Sequence, residues 1–224
     1  MIDFLKTSYK PRDDLKEFVN SLPSSVTLVA ASKYVRAEDI RKMYDCGIHD
    51  FGENRVDSFL LKQNQLSNLQ IKWHFIGHLQ RNKAAKVINF IDCLHSLDSL
   101  KLADCIEKYR TKPLDCFIEV SINQEENKDG VNPEELEGFV KAILEHSKIK
   151  LVGFMMMAKA DSSHEELINQ FTKLKTLRDE IEDKLQIKIP YLSMGMSDDY
   201  LEAIECGATH VRLGRILYSI DNKC

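Results

Sequence analysis

VTLVAASKY, residues 26–34, is the stretch on which the fold turns. Val26, Leu28, Val29, Ala30 and Ala31 make an apolar run of β-branched and small side chains with no helical period, the pattern of a strand buried on both faces. Such a strand belongs to a parallel sheet covered by helices. Lys33 then stands where the strand emerges at its carboxyl end, the end at which α/β proteins place ligands. Two readings of Lys33 stay open. Held in a partly desolvated pocket, its amine is a nucleophile toward a carbonyl; otherwise it is a solvated lysine following a core strand.

Outward from this strand the pattern alternates. A helix candidate at 13–21 precedes it, stopped near Pro23, and an amphipathic segment at 36–46 follows, with Gly47 as its left-handed cap. Further strands are expected at 48–51, 71–76, 91–96, 115–122, 149–157, 189–194 and 210–213. Between them lie helical segments at 82–89, 97–109, 164–185 and 198–206, and one beginning at Asn132-Pro133-Glu134-Glu135, an N-cap followed by proline and acids. Ser163-His164-Glu165-Glu166 has the capping-box form. Residues 123–130 form a long polar loop. Eight strands and intervening helices without a linker or a composition break predict one domain over residues 1–224. Its fold class is α/β, a single (β/α)8 TIM barrel, with an open doubly wound sheet as the alternative.

Bulk properties exclude several function classes. The net charge is −4, from 31 Lys+Arg against 35 Asp+Glu, so the basic excess of a nucleic-acid binder is missing. The six cysteines, Cys46, Cys93, Cys105, Cys116, Cys206 and Cys224, contain no C-x-x-C pair, which argues against a zinc site or a disulfide framework and for a reducing compartment. No apolar stretch reaches the length of a membrane span and the N-terminus does not read as a signal peptide, so a cytoplasmic protein with no membrane partner is expected.

In a barrel the active face is built from the loop after each strand, and phosphate commonly sits on the loops after strands seven and eight. Those loops read SMGMSDD and GRILYS. Gly195 allows close backbone approach, Ser197 offers a hydroxyl and a helix cap, and Gly214 opens a short final helix with free N–H groups. Plain capping and a plain turn explain each alone; together, at the two loops the barrel rule singles out, they point to an anion. Arg212 lies inside the eighth strand, where it faces the mouth or makes a structural ion pair. Glu53-Asn54, His78 and Met155, Met156 and Met157 end strands two, three and six. For His74 and His78 a core or rim role, and for the methionines packing, is the simpler account.

VAASKY, FGENRV, KWHFIGHLQRNKAAKV, HSLDSLKLA and LSMGMSDDYLEAIECGATHVRLG, in that order along nearly the whole chain, resemble the YggS/PROSC family of pyridoxal-phosphate-binding homeostasis proteins. The resemblance implies a barrel of the alanine-racemase N-terminal-domain type, with pyridoxal 5'-phosphate as cofactor and Lys33 as the Schiff-base lysine. It also implies phosphate contacts from Ser193 to Ser197, Gly195 included, and from the backbone of Gly214 and Arg215, with Arg212 near the pyridine nitrogen and Asn54 lining the pocket. No metal and no catalytic residue is implied. The expected role is intracellular homeostasis of this vitamin B6 cofactor and of amino and keto acids, in a monomer, with cofactor-dependent apoenzymes as possible recipients. Two segments depart from the family pattern: RILYSI after Gly214, and YVRAED after Lys33, which leaves no second lysine expected near the cofactor.

Two other functions compete: an amino-acid racemase or similar enzyme on the same barrel, and an isomerase that holds a sugar phosphate. In related racemases a tyrosine from a C-terminal β domain serves the second face of the substrate. Eleven residues follow Leu213 here, so little or no turnover of amino acids is expected.

Overall fold

The computed structural model describes residues 8–123 and 129–221. Its strands are β1 (Ser8–Pro11), β2 (Thr27–Ala31), β3 (Asp50–Glu53), β4 (Lys72–Phe75), β5 (Cys93–Leu97), β6 (Leu114–Glu119), β7 (Ile149–Met155), β8 (Tyr191–Ser193), β9 (His210–Leu213) and β10 (Tyr218–Asp221). The helices are α1 (Leu15–Ser21), α2 (Ala37–Asp45), α3 (Val56–Gln65), α4 (Arg81–Val87), α5 (Leu100–Tyr109), α6 (Leu136–Leu144), α7 (His164–Leu185) and α8 (Tyr200–Glu205). Strands β2 to β9 form a closed parallel barrel, sealed where Thr27 of β2 pairs with His210 of β9 and Ala30 with Leu213. The open-sheet alternative is thereby excluded.

Side-chain alternation divides the strands into two surfaces. Phe51, Phe75, Leu94, Ile118, Phe154, Leu192 and Val211 point outward and join the buried helix faces in one continuous core, which includes Ile40, Met43, Phe59, Ile106, Val140, Phe171 and Leu174. A smaller apolar cluster of Cys93, Phe117, Val152 and Met155 is separate from it. Beside it the strands carry polar groups, with His74, His95 and Ser193 at 0% exposure and Arg212 at 5%.

Several boundaries shift for identifiable reasons. The second barrel strand begins at Asp50, not at residue 48, because the end of α2 uses residues 47–48. Gly47 at φ 98° donates to Tyr44 O and Ile48 donates to Met43 O, the pair of bonds of a Schellman cap. Asn132 does not cap α6 as expected. Its side chain donates to Glu135 Oε2 at 3.2 Å, and a turn carrying Glu135 N–H to Asn132 O leads into a helix that becomes regular at Leu136. The capping box of α7 forms as expected, with Glu166 N–H on Ser163 Oγ and Ser163 N–H on Glu166 Oε2. Strands β1 and β10 were not expected. They pair antiparallel outside the barrel, and Tyr9 of β1 stacks on Tyr34 with ring centroids 5.8 Å apart.

Candidate functional site

The end of β2 rests on a buried ion pair. Lys62, from the inner face of α3, places Nζ 2.6 Å from Glu53 Oε1 and 2.6 Å from the carbonyl oxygen of Ser32. Ser32 Oγ donates to the same Glu53 oxygen at 2.7 Å. Glu53 is fully buried, and its second oxygen, Oε2, has no hydrogen-bond partner among the described residues. Lys33 follows Ser32 and emerges exposed, with Nζ 4.8 Å from the centroid of the Tyr34 ring. The partly desolvated pocket considered for Lys33 is therefore occupied by a different lysine: Lys62, 7% exposed, is the buried amine at this strand end. Lys62 escaped notice because it sits on a helix and reaches the strand end only through folding.

Beside the strand end that carries Lys33, the loops after β8 and β9 come together. Ser197 Oγ accepts the N–H groups of Gly214 at 3.1 Å and Ile216 at 3.4 Å, which ties one loop to the other and leaves its own hydrogen free to donate. Gly195 has φ 94°, and an added Cβ there would stand 2.7 Å from Ala203 Cβ and 3.0 Å from Tyr200 Cα, so only glycine fits. Asp199, 8% exposed, accepts the N–H of Met196. The amides of Ser197, Asp198 and Arg215 have no acceptor among the described residues. The Arg215 side chain is turned outward to Asp198 on an exposed rim. A Cβ built on Gly214 would touch Ala31 Cβ at 3.6 Å, so this turn lies against the end of β2, close in sequence to Lys33. Tyr218, in the segment that departs from the family pattern, closes the same corner by donating to Ala31 O at 3.0 Å. Its burial raises the phenol's pKa, so this hydroxyl is no proton acceptor at neutral pH.

Arg212 occupies the wall between these loops and the barrel interior. It donates Nη1–H to Ser193 Oγ at 2.7 Å and Nη2–H to Met156 O at 2.9 Å. No carboxylate lies within ion-pairing distance among the described residues, so the structural ion pair considered for this residue is not formed. Burial brings its pKa down to about 10, against the pull of Glu119 and Asp199, and it stays charged at neutral pH. Glu119, at the end of β6, responds in the opposite sense. Burial drives its carboxyl up to about 7, with Arg212 opposing and Asp98 and Asp129 adding to the rise. His78, expected at the rim, is there, with Nδ1 at 3.1 Å from Asp98 and 3.3 Å from Asp129.

Of the residues singled out by sequence, Gly195, Ser197, Gly214 and the Arg215 backbone form one loop pair, linked through Ser193 to Arg212. Lys33 lies on the adjoining strand end. Asn54 follows β3 against Gly77, where a Cβ would come within 2.6 Å of Asn54 Cβ, and its Oδ1 is buried without a partner among the described residues. His74 is a fully buried, hydrogen-bonded core residue as expected, while Met155 and Met156 are packed and Met157 is half exposed. Lys62, Glu119, His95 and Tyr218 were not singled out, since each matters through partners distant in sequence.

The class this arrangement defines is the barrel of the alanine racemase N-terminal domain, whose family profile matches residues 13–222. Alanine racemase from Corynebacterium glutamicum shares the fold at TM-score 0.72 and 17% identity, over 93% of this chain and 62% of that one. Two curated relatives are named pyridoxal phosphate homeostasis protein. The one from Aquifex aeolicus is 43% identical over 85% of each chain, and the one from Synechocystis sp. is 38% identical over 90% of this chain and 94% of that protein. PipY of Synechococcus elongatus, solved with pyridoxal phosphate bound, superposes at TM-score 0.84 with 30% identity, covering 92% of this chain and 99% of that one. The chain belongs to the family of pyridoxal phosphate homeostasis proteins. Among the described residues no helix is long and apolar enough to cross a membrane.

Proposed function

We propose that this protein binds pyridoxal 5'-phosphate through a Schiff base to Lys33 and serves its homeostasis by holding and releasing it, without appreciable catalysis. The residues suit the group. Free amides at Ser197, Asp198 and Arg215, the Ser197 hydroxyl and the bare backbone at Gly195 match a phosphate dianion. Asn54 Oδ1 is a buried acceptor lacking a donor among the described residues. Lys33 presents an exposed primary amine beside the same loops, able to condense with an aldehyde and release water. When bound, the cofactor supplies an electron-withdrawing pyridine ring conjugated to the imine carbon.

The observation that carries the non-catalytic reading is Arg212. A donor-only guanidinium anchored by Ser193 and Met156, set by family resemblance beside the pyridine nitrogen, opposes protonation of that nitrogen and so weakens the ring as an electron sink. The Tyr218 hydroxyl, beside the end of β2, is committed to Ala31 O and offers no second acid/base face. The protein would act in the cytoplasm as a monomer, with apoenzymes that require the cofactor as recipients.

The test is an absorbance spectrum of cofactor-loaded protein before and after borohydride, followed by peptide mapping and by incubation with each enantiomer of several amino acids. Label on Lys33 with no racemised or deaminated product is expected. Label on Lys62 or elsewhere refutes the assignment. Turnover of about 1 s⁻¹ or faster that disappears in Lys33→Ala refutes the absence of catalysis.

A further inference from the structure

A chain of hydrogen bonds crosses the barrel interior from the amino-terminal end of β3 to Arg212. Asp50, the first residue of β3 with its side chain 22% exposed, holds Oδ1 2.9 Å from His74 Nε2. His74 Nδ1 lies 2.8 Å from His95 Nε2, and His95 Nδ1 lies 2.8 Å from Ser193 Oγ. Ser193 Oγ in turn receives Arg212 Nη1–H at 2.7 Å. Four strands, β3, β4, β5 and β8, thus supply consecutive links that end on a fifth, β9. Both imidazoles are fully buried, and Phe117 stacks on His95 at 4.4 Å, which restrains the ring from turning.

The two ends set the direction of every bond between them. Arginine only donates and an ionised carboxylate only accepts, while a neutral imidazole has one donor and one acceptor nitrogen. Asp50 therefore takes the Nε2–H of His74, leaving His74 Nδ1 as a lone pair that must receive the Nε2–H of His95. His95 Nδ1 is then the acceptor for the Ser193 hydroxyl, whose lone pairs face Arg212. All polar atoms along the path are satisfied in this one arrangement. Protonating either histidine would set donor against donor, or force Ser193 to turn its hydrogen elsewhere. Burial supports the neutral state by lowering both histidines' pKa values, with the Asp50 hydrogen bond opposing this at His74.

We propose that Asp50, His74 and His95 are positioning residues that orient the Ser193 hydroxyl and the Arg212 guanidinium at the cofactor end of the barrel. The chain's existence stands on its own geometry; its effect on a cofactor rests on the proposed cofactor-binding function. Asp50 touches neither Arg212 nor the phosphate loops, yet it selects the tautomers on which their orientation depends.

The experiment uses protein labelled with [15N]histidine, read by long-range 1H–15N correlation at pH 7.5 without cofactor, together with cofactor titrations. Both His74 and His95 are expected as neutral Nε2–H tautomers in the wild type. In Asp50→Ala the signals of His95, which does not contact residue 50, are expected to move toward a mixture of tautomers. The same variant is expected to bind pyridoxal phosphate roughly 3–30-fold more weakly and to shift the visible band of the bound cofactor. An Nδ1–H or doubly protonated His95 in the wild type overturns the chain without need of any variant. An unchanged His95 in Asp50→Ala overturns the coupling. Correct tautomers and coupling in a wild type that binds no cofactor leave the chain standing and overturn the proposed function instead.

Discussion

Replacing Lys62 with methionine isolates what the buried ion pair contributes to the end of β2. Methionine retains most of the apolar stem, so the principal change is loss of an ammonium held at 2.6 Å from both Glu53 Oε1 and Ser32 O. Glu53 is left fully buried with the Ser32 hydroxyl as its remaining donor, and one of its oxygens has no partner among the described residues even in the wild type. Removing one member of a buried pair costs about 3–5 kcal/mol, and the surviving serine bond places this case near 3 kcal/mol. For a chain of this length that corresponds to a fall in Tm of roughly 6–12 °C. Urea unfolding at neutral pH is the assay. A double variant that also carries Glu53→Gln should recover part of the loss, since the uncompensated charge is gone. A loss below about 1 kcal/mol would refute the view that Lys62 neutralises a buried carboxylate.

Further substitutions probe the phosphate loops and the interior. Ser197→Ala removes a hydroxyl that ties two loops together and faces the proposed phosphate; cofactor affinity should fall by about 1.5–3 kcal/mol in a titration, while pyridoxal lacking phosphate should bind both proteins equally weakly. Gly195→Ala forces a side chain into φ 94° and within 2.7 Å of Ala203 Cβ. It should lose at least about 1–3 kcal/mol in denaturant unfolding, and a neutral result would show that the loop is not held as described. Glu119→Gln tests the carboxyl whose pKa is raised to about 7. Because the folded state binds this proton more tightly than the unfolded one, the group's stabilising contribution is complete below about pH 4.5 and is lost as pH rises through 7. Relative to wild type the glutamine variant should gain up to about 3 kcal/mol between pH 4.5 and pH 8, and parallel stability curves would contradict the assignment.

Much of the barrel could be read from local pattern. Apolar runs such as residues 26–31 and amphipathic helices such as α2 and α7 carry their own periodicity, and glycine caps and the capping box at Ser163 are signals within a few residues. The loop pair at Gly195 to Ser197 and Gly214 was legible for the same reason: a barrel's geometry assigns ligand contacts to segments that can be counted along the chain. Closure of the sheet, the pairing of β1 with β10, and the placement of Lys62 under Ser32 were decided only by tertiary structure, because each joins residues whose partners no local window contains. The histidine chain is the plainest case. His74 reads as an ordinary core or rim residue and His95 is not singled out, and only the barrel, by turning alternate side chains of β3, β4, β5 and β8 toward one interior, gives them a direction and an end at Arg212.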